Sequence, residues 1–103
     1  MYLTSFVARS GMNAAQIRLD NSAHNVANAH TSGFHRQTVT QQAVVSGGVH
    51  ARVGPQISSA SASGVTLETE IVEQVAAVYA FKANVLVFDT ANSMIGTLLD
   101  ERV

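Results

Sequence analysis

The chain has no cysteine, only 13% charged residues and no apolar run approaching eighteen residues. Without cysteine, neither a disulfide framework nor a thiolate metal site can form. Without a long apolar run, no helix is expected to span a membrane. The basic residues Arg9, Arg18, Arg36, Arg52, Lys82 and Arg102 are scattered and the formal net charge is −1. A nucleic-acid footprint needs clustered Lys and Arg, so no nucleic-acid partner is expected. Met1 to Phe6 lacks a basic stretch followed by a continuous apolar core, so no cleaved secretory signal is expected.

Apolar residues make up 47% of the 103 residues, which argues against disorder throughout. A chain this short fits one small domain, 1–103, and buries a limited core. Its sparsely charged surface points to cover by a partner.

Three parts follow along the chain. Residues 4–29 read as a helix, 34–63 as a loop or β-hairpin insert, and 67–102 as a second helix. The first helix has a seam of apolar or small residues at Ser5, Ala8, Met12, Ala15, Leu19, Ser22, Val26 and Ala29. The steps alternate three and four, and the small side chains admit a close partner. A second group, Leu3, Phe6, Ala14 and Ile17 followed by Asn21, His24 and Asn28, lies on the other side. Gly33 supplies a stop.

In the insert, Thr38–Val45 and Val49–Val53 are β-prone runs around Ser46-Gly47-Gly48, which predicts a hairpin. Ser58–Gly64 reads as a flexible connector. The second helix opens on the candidate N-cap Thr66, with Glu68, Glu70 and Glu73 near the positive end of its dipole. One seam runs Ile71, Val78, Phe81, Val85, Phe88, Asn92, Ile95 and Leu99. A second apolar face runs Val72, Tyr79, Ala83, Leu86, Val87, Met94 and Leu98. Between Gln74 and Leu99 the charges are Lys82 and Asp89. A helix apolar nearly all round is normally buried, and one antiparallel partner covers one side. The expected fold is mainly α: long antiparallel N- and C-terminal helices in a coiled-coil hairpin with a short insert. Other copies or related subunits are expected to complete the burial.

No catalytic constellation appears. There is no nucleophile elbow, and Gly47-Gly48 is not followed by the Lys-Ser/Thr of a phosphate loop. His24, His30, His35 and His50 are spaced so that no helical face gathers them, and no carboxylate lies between Asp20 and Glu68. No enzyme activity, metal, cofactor or small-molecule substrate is expected.

Two stretches carry a family likeness. Asn25-Val26-Ala27-Asn28, with Thr31, Gly33, Phe34 and Arg36 following, resembles the N-terminal signature of flagellar rod and hook proteins. His35 stands where that family prefers Lys or Arg. Ser10-Gly11-Met12 and Arg18-Leu19 fit the same family's first helix. The second stretch, Val65–Val72 continued by Tyr79–Asn84 and Thr90–Leu99, resembles the C-terminal block, although Phe81-Lys82 interrupts its Tyr-x-Ala-Asn core. The insert is too short for a hook or distal-rod protein and nearer a short proximal-rod type.

The resemblance implies a structural, self-assembling subunit of the bacterial flagellar basal-body rod, serving motility. It implies other rod proteins and the chain itself as partners, and export through the flagellar type III apparatus without signal cleavage. Its implied motif residues are Asn25, Ala27, Asn28, Thr31, Gly33, Phe34 and Arg36. Candidate packing and assembly residues are Met12, Leu19, Val26, Ile71, Val78, Phe81, Val85, Phe88, Ile95 and Leu99. The competing reading is a small flagellar adaptor that keeps the helical domain and binds one partner without polymerising.

Overall fold

The computed structural model describes residues 2–54 and 66–100. The connector read at Ser58–Gly64 and the last residues of the expected second helix lie outside them. The order of elements is helix α1 (Tyr2–Ala27), strands β1 (Val39–Ala43) and β2 (Val49–Val53), and helix α2 (Leu67–Asp100). α1 begins and ends two residues earlier than the seam predicts. Asn28 onward turns away, because the Asn28 amide side chain donates to the His24 carbonyl at 2.9 Å, beside the last helical bond. The Thr66 carbonyl accepts from the Glu70 amide at 3.1 Å, which places Thr66 at the N-cap position of α2.

α1 and α2 pack against each other, and the two strands form a small antiparallel sheet between them in the chain order. Their register pairs Val39 with Val53 and Ala43 with Val49. Gly47 and Gly48 take the positive φ angles of 106° and 93° that the reversal demands. The hairpin is docked on α1. Ser10 Oγ accepts from the Val49 amide at 3.1 Å and donates to the Val7 carbonyl at 2.7 Å. The face of α1 that carries Leu3, Phe6 and Ser10 thus meets the turn of the hairpin.

The core is made of small side chains. Ala8, Ala14, Ala15, Ala77 and Ala91 are buried, with Ser22, Asn25 and Glu70 among the polar groups. All residues of the expected α1 seam are buried or half-buried. On α2 the inward line is Glu70, Ala77, Asn84 and Ala91, one residue before Ile71, Val78, Val85 and Asn92. Small size explains the shift. Gly11 sits so close to Asn84 that a Cβ on it would lie 2.5 Å from Asn84 Oδ1. Bulky side chains would force the helices apart, so they are turned outward instead.

The molecule is a thin rod, 66 × 26 × 15 Å. Its accessible surface is 7240 Å², against about 5,600 Å² for a compact monomer of this mass. Much of α2 is uncovered. By length and composition alone it could cross a membrane, which the run-length criterion did not anticipate.

Candidate functional site

The richest chemistry lies where the turn after α1 meets the first turns of α2. Asn28, Thr31 and Phe34 step through the turn. The Thr31 amide donates to the Asn28 carbonyl at 3.0 Å, and the Phe34 amide to the Thr31 carbonyl at 3.2 Å. Thr31 Oγ1 donates to Asn28 Oδ1 at 3.2 Å. Gly33 has φ 76°, the left-handed region that only glycine enters cheaply. That conformation swings the chain back toward the helix. Phe34 then meets His24 edge-on, ring centroids 5.6 Å apart and planes at 71°.

Beyond Phe34 the chain is pinned to α1 by Asn25. Its side-chain Oδ1 accepts from the Gln37 amide at 2.9 Å, and its Nδ2 donates to the Gln37 carbonyl at 2.9 Å. Asn25 is fully buried and mimics the edge of a strand toward Gln37. Asn21 Nδ2 donates to the same carbonyl at 2.9 Å. Asn21 Oδ1 is buried and lacks a hydrogen-bond partner among the described residues.

Glu70 is the centre of the cluster. It is 0% exposed, the extreme for a carboxylate in so small a protein. Arg36 Nε donates to Glu70 Oε1 at 2.9 Å, and Asn25 Nδ2 approaches the same oxygen at 3.3 Å. Ser22 Oγ lies 2.7 Å from Glu70 Oε2 and 3.0 Å from the Glu70 carbonyl, and its single proton can serve either acceptor. A buried charge is tolerable only with a paired charge and filled lone pairs, and all three donors supply that. One turn along, Arg18 Nη2 meets Glu73 Oε2 at 3.1 Å, a more exposed pair. Arg18, Asn21, Ser22, Arg36, Glu70 and Glu73, with Thr38 and Val39, line an open notch of about 270 Å³.

The structure therefore gathers Asn25, Arg36 and, through the turn, Asn28, Thr31, Gly33 and Phe34 around one end of the hairpin. Ala27 ends α1 and is exposed. Met12, Leu19 and Val26 are half-buried on α1. Of the α2 positions, Phe88 and Ile95 are half-buried, whereas Ile71, Val78, Phe81, Val85 and Leu99 are exposed. Sequence reasoning treated Glu70 as one of three first-turn charges. The usable signal was its place in the seven-residue line with Ala77, Asn84 and Ala91, opposite Ser22. Among the described residues, no three His, Asp or Glu side chains gather as a metal site would need.

The cluster is a mechanical joint: it fixes how the chain leaves one helix and meets the other. The family described as flagella basal body rod protein matches residues 7–35. Over that segment the chain is similar to the flagellar rod protein family. The matched segment contains α1 from Val7 and the turn through Asn28, Thr31, Gly33 and Phe34, ending one residue before Arg36. It covers under a third of the chain and stops short of α2. No curated protein matches the chain. The matched family is one of structural basal-body rod proteins and not an enzyme family, so the match supports a basal-body rod component in general terms. Asn25 and Gly33 of the matched segment help build the joint, and Glu70 of α2 is the group it grips.

Proposed function

We propose that this protein is a structural subunit of the flagellar basal-body rod, of the short proximal type, and that it assembles by helix packing with itself and with related rod subunits. One observation carries the reading. The helices join through small and polar residues, while Ile71, Val72, Tyr79, Leu86, Met94 and Leu98 point outward and stay at least half exposed. Exposed apolar surface on this scale marks a contact site. Neighbouring rod subunits are the partners that the family supplies. The rod role implies passage through the flagellar type III export apparatus without signal cleavage, and a part in motility. A thin pair of helices with a core of alanines suits such passage, because short helices without cover have low stability of their own.

The test is recovery and loss. The chain is expected in purified hook–basal bodies, and deletion of its gene is expected to abolish complete rods and swimming. A chain found solely in the soluble fraction, with intact basal bodies in the deletion strain, would replace this reading with that of an adaptor.

A further inference from the structure

The outer face of α2 carries a pattern that matches its own reverse. Lys82 and Asp89 lie two residues before Asn84 and Ala91, so each is turned about 200° from the line that meets α1. Both are exposed, and neither is ion-paired among the described residues. They are the charges of the central helix, opposite in sign and seven residues apart. The midpoint between them falls at Val85 and Leu86. Leu86 is 67% exposed.

Size follows the same symmetry. On one side of the midpoint stand Val75 and Tyr79, exposed by 50% and 69%. At the distance that matches Val75 stands Gly96, and one residue beyond the distance that matches Tyr79 stands Ser93, both exposed. Gly96 lies inside a helix, where glycine costs about 1 kcal/mol relative to alanine. Among the described residues nothing requires it, for a Cβ at that position would meet no atom within 4 Å.

We infer that a second copy of this chain docks antiparallel on this face, with Lys82 of each copy opposite Asp89 of the other and Leu86 at the two-fold axis. Contact of one face with the same face of another copy requires a two-fold axis. If that axis ran along the helix, Lys82 would meet Lys82 and Asp89 would meet Asp89, which like-charge repulsion opposes. If it runs across the helix at Val85 and Leu86, both charges are neutralised and Val75 fills the space over Gly96. The contact from Val75 to Gly96 is about 32 Å long. The dimer closes on itself and so occupies a face that side-by-side assembly would otherwise use. The inference takes Tyr79 and Leu86 from the outward surface that the rod reading also uses, and its test is separate from recovery with basal bodies.

The absence of cysteine makes the test clean. In sedimentation of the full chain, a dimer is expected. Lys82→Asp or Asp89→Lys alone places two like-charge pairs in each dimer and raises its dissociation constant about tenfold or more. The double exchange Lys82→Asp/Asp89→Lys restores it. Under oxidation, Leu86→Cys chains cross-link to one another. Val75→Cys chains do not, but they cross-link when mixed with Gly96→Cys chains, and this pairing reads the geometry whatever the final oligomer size. A monomer without cross-links, a Val75→Cys self-cross-link, or a single charge reversal without effect would overturn the inference. Any of these would leave recovery with basal bodies as a separate question.

Discussion

Arg36 and Glu70 form the tightest dependency between single residues. Glu70 is wholly buried, and Arg36 supplies its countercharge while keeping some exposure itself. Arg36→Ala is expected to lower unfolding free energy by about 3 kcal/mol, because it strands a buried carboxylate. Urea denaturation followed by circular dichroism measures the loss, and Glu70→Gln combined with Arg36→Ala should recover part of it. Gly11 gives a second prediction. Gly11→Ala would push a methyl group into the Asn84 amide, which donates to the Ala80 carbonyl at 2.8 Å. The expected cost is about 1–3 kcal/mol. Adding Asn84→Ala removes the obstruction, so the pair should be less destabilised than Gly11→Ala alone, as a double-mutant cycle would report. At this scale the sequence was partly readable. Gly33 declared a left-handed turn, and Asn25 and Asn28 declared themselves as helix-end residues by their amide chemistry. That Asn25 would grip Gln37, and that Glu70 rather than Glu68 would be buried, depends on the angle at which α2 meets the turn, which no local pattern encodes.

At the scale of elements, the hairpin hangs on α1 through few groups. Ser10 is the main polar one, and Ala51 is the buried residue of β2. Ser10→Ala is expected to cost about 1 kcal/mol and to leave the Val49 amide without its acceptor. Hydrogen exchange should then speed up at Val49 while the Ala77 and Ala91 region of α2 keeps its protection. Both helices and the β-prone runs were legible from periodicity and turn residues. The inward face of α2 was not, because apolar size was the guide and the helices meet instead through alanine, glycine and asparagine. The alternating three-and-four pattern on α1 gave the right face because its seam is small-residue throughout.

For the whole molecule, a rod of 66 × 26 × 15 Å with much apolar surface outside is expected to draw stability from association. The midpoint of thermal unfolding is expected to rise with protein concentration over the micromolar to hundred-micromolar range. Differential scanning calorimetry at several concentrations checks this, and a midpoint independent of concentration would contradict it. The sequence showed two apolar faces on one helix, and the fold leaves much of that surface outside. It did not reveal where Lys82 and Asp89 stand relative to α1, because that depends on which line of α2 turns inward.

The seven-residue spacing of the inward lines has a consequence for register. Ala8, Ala15 and Ser22 on one helix, and Glu70, Ala77, Asn84 and Ala91 on the other, repeat with the same period. A seam of alanines alone would look the same after sliding by one heptad, about 10.5 Å. Two steps break that degeneracy: Asn84 fits where Gly11 leaves room, and Glu70 fits where Ser22, Asn25 and Arg36 converge. The polar joint and the glycine notch therefore act as the graduations on a ruler, setting how far each end of α2 projects past α1 and so where any neighbour must begin.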